Sequence, residues 1–222
     1  MSRFHKYLHD LRTLPADTLL GYRQAGVSGA WNALAARSLH RLIRTGHLLV
    51  FAHSLDNLAV PTAPAGVRIA LAEDEDWPAL ASLVGQREVS RFRALQAAGR
   101  RCLVAWRGKV PVGYAWVAHP IGPDVAPWPL PFTFPSTAAY LYNLYVVPSE
   151  RSSGIGSALA HERLCLARDA GHREGWRMVA PSNSPSLRTV RKTAAGTRAV
   201  GELHFLQLLG RTYARFTPPQ AG

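Results

Sequence analysis

Val147-Pro-Ser-Glu-Arg-Ser-Ser-Gly-Ile-Gly156 follows an apolar run at 140–146 and leads into a helical stretch at 157–170. Together the three pieces predict a strand, a loop and a helix. Within the loop, Arg151-x-x-Gly154-x-Gly156 supplies two glycines that can take positive φ, so that backbone N–H groups converge at the positive end of a helix dipole. Such a loop cradles an anion, and a pyrophosphate fits it.

Downstream, Gly171 ends the helix and residues 176–180 read as a strand. Because a helix separates them, the strands at 140–146 and 176–180 can run parallel. Ser182-Asn183-Ser184-Pro185 offers an N-cap with proline near the first helical position, which predicts a helix to about Thr193. Residues 200–209 and 212–216 form a closing strand pair.

Upstream, 67–71 reads as a strand, and Glu73-Asp-Glu-Asp76 puts acids in the first turn of a helix that runs to Val84. Residues 101–106 and 110–118, joined by Arg107-Gly108-Lys109, predict a hairpin. Between His119 and Thr137 lie six prolines with Trp128, Phe132 and Phe134, which excludes a helix or a central strand. This long loop is either a binding wall or an excursion that packs its own aromatics.

The N-terminal part reads differently. Residues 29–45 predict an amphipathic helix with Arg37, Arg41 and Arg44 on a basic face, followed by a short strand at 47–52. A linker with Pro61 and Pro64 follows, so the expected organisation is an N-terminal extension over 1–60 and a main domain over 67–216.

With 222 residues and 47% hydrophobic content, the chain can bury one good core. No apolar run reaches the roughly 18 residues of a membrane span, and residues 1–10 lack a signal-peptide core, so a cytoplasmic protein is expected. Cys102 and Cys165 stand far apart without the paired spacing of zinc ligands; they read as buried hydrophobes, and no metal is expected. The net charge of +12 favours a phosphorylated cofactor, an acidic substrate, nucleic acid or an anionic surface, without choosing among them. A dinucleotide fingerprint fails for want of a third glycine and of an acid ending strand 176–180. A P-loop fails for want of Gly-Lys-Ser/Thr.

In the order of its elements over 67–216, and above all in Tyr142-Asn-Leu-Tyr-Val-Val-Pro148 followed by Arg151-Ser-Ser-Gly-Ile-Gly156, the chain resembles the GNAT superfamily of acyl-coenzyme A dependent N-acetyltransferases. The resemblance implies an α/β (α+β) fold with a mixed, mostly antiparallel twisted sheet flanked by helices and a parallel strand pair splayed at the cofactor site. It implies acetyl-CoA, or a related acyl-CoA, as co-substrate. The backbone of Leu144, Tyr145 and Val146 would pair with the pantetheine arm. Arg151, Ser152, Ser153, Gly154, Ile155, Gly156 and Ser157 would hold the pyrophosphate, and Asn183 and Ser186 would touch the cofactor. Asn183 also reads simply as a helix cap.

The implied activity is direct acyl transfer in a ternary complex to an amine of a small molecule or peptide, with a homodimer open to the chain. The sequence departs from the family's pattern at Tyr140 and Met178, where many members carry a carboxylate, and at Val190, where a tyrosine acid is frequent. Candidate bases reduce to Asp124, Glu202, Glu88 and His119; of these His119, at a strand end, has a side chain that titrates near neutrality. Tyr140 and Tyr142 share a strand face, so either can donate a proton to the thiolate or pack. Two other readings stand beside this one: a catalytically degenerate CoA- or partner-binding fold, and a basic nucleic-acid binder, which lacks a recognisable reading module.

Overall fold

A computed structural model describes residues 43–56, 58, 63–119, 121, 130–192, 196–208 and 211–219. Its strands are β1 (Ile43–Ser54), β2 (Val67–Leu71), β3 (Arg101–Arg107), β4 (Val110–Ala118), β5 (Ala138–Val146), β6 (Glu174–Val179), β7 (Thr197–Leu208) and β8 (Arg211–Thr217). The helices are α1 (Trp77–Val84), α2 (Gln86–Ala97), α3 (Ile155–Asp169) and α4 (Ser184–Lys192). The strands form one sheet in the order β2-β3-β4-β5-β6-β1-β7-β8. The β2–β3, β3–β4, β4–β5 and β1–β6 pairs are antiparallel, and β5–β6 is parallel, as a helical crossover between them allows.

Alternation along the strands sorts the core onto two faces. Cys102, Val104, Trp106, Tyr114 and Trp116 turn to one side, where Trp77, Leu80, Val89 and Phe92 of α1 and α2 cover them. Leu103, Ala105, Val112, Ala115 and Val146 turn to the other and meet Ile155 and Leu159 of α3. The proline-rich segment contributes Phe132 and Phe134, which pack on Trp176, with Phe134 also against Tyr140. For the described part of that segment, packing aromatics is the observed role; residues 122–129 lie outside the described residues.

The chain divides into two compact units, residues 1–46 with 205–213 and residues 47–204 with 214–222. In the smaller unit, Gln207 Nε2 donates to Thr212 Oγ1 at 3.2 Å. The short strand expected at 47–52 is part of β1, where Leu49 pairs with Val179 and Ser54 with Glu174, and 47–54 belong to the larger unit. Of the basic helix expected over 29–45, residues 43–45 are strand instead, and residues 29–42 lie outside the described residues.

Candidate active site

Across β4 and β5, Tyr114 pairs with Tyr145 while Trp116 pairs with Tyr142, which gives β5 one extra residue. Asn143 takes up the bulge with φ 49°, a conformation asparagine tolerates better than most residues. A bulge bends its strand, and β5 is paired with β6 only from Ala138↔Glu174 to Tyr140↔Trp176. Beyond Tyr140 the two parallel strands part.

The groups that face this gap follow from alternation. Val147 N–H donates to Val112 O at 3.0 Å, so the N–H of Val146 points the other way, away from β4. A Cβ placed on Gly113 would lie 2.7 Å from Tyr145 O, which shows that carbonyl turned toward β4. Leu144 and Val146, rather than Tyr145, therefore offer backbone to the gap. Arg151 Nε donates to Val146 O at 3.3 Å and Arg163 Nη1 to Tyr142 O at 3.2 Å.

At the end of β5 the chain makes a 310 turn over Pro148–Glu150 and enters α3 through Gly154, which sits at φ 90° and has no side chain to cap the helix. The first helical bond is Ala158 N–H to Gly154 O at 3.0 Å. The N–H groups of Ile155, Gly156 and Ser157 thus have no partner within the helix, at its positive end. Arg107 clamps the Glu150 carboxylate through Nε at 2.7 Å and Nη2 at 2.8 Å, and Ser153 Oγ donates to Glu150 O at 2.6 Å. These bonds hold the loop that leads into α3.

Asn183 caps α4: its Oδ1 accepts from Ser186 N–H at 3.1 Å. Both residues stand just past the C-terminal end of β6, and the observed duty of the Asn183 oxygen is the cap.

Tyr140 and Tyr142 stack at 5.4 Å with planes 4° apart. Tyr140 is buried among Phe134 and Trp176, and burial, then Tyr142, pushes its phenol up. Tyr142 stands beside the bulge with Arg100 next to it: Arg100 Nη1 lies 3.5 Å from Oη and the guanidinium 5.8 Å from the ring. Burial raises the Tyr142 phenol while Arg100 opposes the shift, so at neutral pH it keeps its proton.

His119 stands just past the end of β4. It follows Ala118, which pairs with Tyr140, and its ring lies 5.0 Å from His172. The six residue steps from Tyr140 to Val146 separate that end of β5 from the loop by about 20 Å. Burial, then His172 and Arg101, lowers its pKa. Glu88 pairs with Arg91 on α2, Glu202 is held by His47 and His204, and Asp124 lies outside the described residues.

One group of residues carries a signal the sequence reading passed over. Ile155, Leu159 and Arg163 recur every four positions and are all buried, which places a guanidinium in the apolar stripe of α3. Burial, then Arg177, pushes Arg163 down to about 9, and burial pushes Arg177 to about 10. Arg177 Nε donates to His53 Nε2 at 2.7 Å, so the neutral ring carries its proton on Nδ1, next to Thr197 Oγ1. Burial, then Arg177 and Arg163, lowers His53 to about 3.

A histidine that is neutral in the fold and titrates near 6.5 when unfolded makes the unfolded state the better proton acceptor between those values. The contribution of His53 to stability is expected to be flat above about pH 6.5 and to fall on acidification, by about 2 kcal/mol at pH 5. Urea unfolding of His53→Leu at pH 7 and pH 5, against the parent, checks this: the variant should lose most of the slope.

A parallel strand pair that parts beyond Tyr140 thus leads into an uncapped, glycine-led helix N-terminus. The model of the Acetyltransferase (GNAT) family matches residues 68–194, more than half of the chain, and the chain belongs to that family. Among solved structures it is similar to a GCN5-related N-acetyltransferase from Sphaerobacter thermophilus, at 17% identity and TM-score 0.53, over 85% of this chain and 57% of that one. It is likewise similar to one from Kribbella flavida, at 20% identity and TM-score 0.53, over 80% and 64%. A third likeness, at 14% identity and TM-score 0.55, is to a GCN5-related glucosamine N-acetyltransferase region of a fungal multi-domain GH3 β-N-acetylglucosaminidase, over 78% of this chain and 22% of that one. No match is found among curated proteins. Family membership supports acetyl transfer as the general chemistry and acetyl-CoA as the donor, and among the described residues no helix is long and apolar enough to cross a membrane.

Proposed function

We propose that the protein transfers an acetyl or short acyl group from acyl-CoA directly to an amine. The observation that carries this reading is the gap beyond Tyr140, lined by the backbone of Leu144 and Val146 and continuous in sequence with the uncapped start of α3. Bound acetyl-CoA supplies a thioester carbonyl open to attack by a neutral amine. The Leu144 N–H stabilises negative charge on that carbonyl oxygen, and Tyr142 Oη gives its proton to the departing sulfur. The proton of the attacking amine leaves through water. The N–H groups of Ile155, Gly156 and Ser157 hold the diphosphate, and the Val146 backbone pairs with the pantetheine arm as an added strand would.

Direct transfer is favoured over an acyl-enzyme because burial raises both thiols, Cys102 and Cys165, away from the nucleophilic thiolate. Coenzyme A release over a broad amine panel, with calorimetry of acetyl-CoA binding, tests the proposal. Binding without turnover on any amine favours the degenerate reading, and no heat with any acyl-CoA removes the cofactor site altogether.

The two tyrosines separate cleanly. Tyr142→Phe should lower kcat on the order of 100-fold with acetyl-CoA affinity unchanged, whereas Tyr140→Phe, which removes a buried packing hydroxyl, should leave kcat within a few-fold. Steady-state kinetics and calorimetry on both variants decide it, and equal losses would remove Tyr142 from its role.

A further inference from the structure

We infer that His47, Glu202 and His204 form a binding site for a borderline transition-metal ion, with Zn2+ as its first occupant, on the face of the neighbouring strands β1 and β7. Glu202 and His204 are two apart on β7 and so share a face, and Leu203 between them is fully buried on the other. His47 comes from β1, which neighbours β7 in the sheet. His47 Nε2 lies 2.8 Å from Glu202 Oε2, and His204 Nε2 lies 3.4 Å from the same oxygen. One donor atom from each residue falls within 4.8 Å of the other two. The imidazoles lie side by side, centroids 4.2 Å apart and planes 13° apart.

These spacings come close to those of a metal site. Zinc bonds of about 2.0–2.1 Å in a tetrahedron set donor atoms about 3.3–3.4 Å apart. The His204–Glu202 spacing already has that value, and the His47–Glu202 contact opens by about half an ångström through rotation of the long glutamate side chain. Two nitrogens and one carboxylate oxygen select zinc, copper or nickel over calcium and magnesium, which demand oxygen. The side chains remain 37%, 49% and 51% exposed in the order His47, Glu202, His204, which leaves a path for entry and a fourth position for water. Because 155 residues separate His47 from Glu202, no local ligand motif is legible in the sequence, which explains why the sequence reading expected no metal.

The site is independent of the acyltransferase reading, and so is its test. Tag-free full-length protein is titrated with Zn2+ by calorimetry, with metal content after dialysis measured by mass spectrometry. The expected result is one ion per chain, with affinity weakened about 100-fold or more in His204→Ala and in Glu202→Gln, at least the loss seen when mere supporting groups of metal sites are removed. Far-ultraviolet circular dichroism identifies a variant that has failed to fold, in which case His47→Gln at the strand opposite gives the same answer. Substituting Co2+ gives a visible band of four-coordinate intensity that these variants abolish. Absence of zinc binding, or binding unchanged in the folded variants, overturns the site.

Discussion

Gly156→Trp is expected to abolish CoA binding, by more than about 100-fold or 2.7 kcal/mol, while the protein stays cooperatively folded. Gly156 lies in the first turn of α3, and a Cβ added there meets only Val146 Cγ2, at 3.8 Å, within ordinary contact distance. The fold therefore has room for a side chain, and tryptophan is, if anything, a better helix former than glycine. The indole would instead fill the space in front of the Ile155, Gly156 and Ser157 N–H groups, where a diphosphate must come within about 3 Å of the main chain to be held. Calorimetry with CoA and thermal unfolding of the same sample separate the two effects. Gly156→Ala, with one side-chain heavy atom in place of ten, should lose far less affinity. Unchanged binding in Gly156→Trp would move the diphosphate away from this loop; loss of folding would point to crowding that the 3.8 Å contact does not contain.

The parts of the fold that local sequence decides were legible. The strand at 67–71, the hairpin about Gly108 and the strand-loop-helix at 140–170 appear where alternation, glycine punctuation and helical period place them, within one or two residues. What eluded the sequence is non-local. Ile43 and Arg44 fit a helical period as well as a strand, and only pairing with residues 120 to 130 positions away puts this strand into the sheet beside β6. Tyr145 illustrates a finer limit, since a bulge at Asn143 shifts which backbone groups face the gap and a bulge leaves no mark in residue type. His119 was placed by its closeness in sequence to the proline-rich segment, whereas the antiparallel β4–β5 register sends it to the end of β5 away from the loop. Arg163 reads as polar face until the spacing from Ile155 and Leu159 is given priority over its charge.

That arginine supports a second large effect, with a sign opposite to most core substitutions. Arg163→Met is expected to raise stability by about 1–4 kcal/mol, the range found when buried charges give way to apolar residues of similar length. The guanidinium is only 3% exposed, its Nε has no hydrogen-bond partner among the described residues, and its pKa remains above neutrality, so a charge is held in the core at pH 7. Nη1 does satisfy Tyr142 O, and losing that bond costs about 1 kcal/mol, which offsets part of the gain. Arg177 lies close enough to disfavour the charge further, and removing one of two like charges relieves the other. Urea unfolding at pH 7 gives the answer directly. A destabilised Arg163→Met would mean that the bond to Tyr142 O, which steadies β5 just where it leaves β6, outweighs the desolvation of a whole guanidinium. In that event CoA affinity should fall with stability, because the same carbonyl anchors the edge of the gap that receives the pantetheine arm.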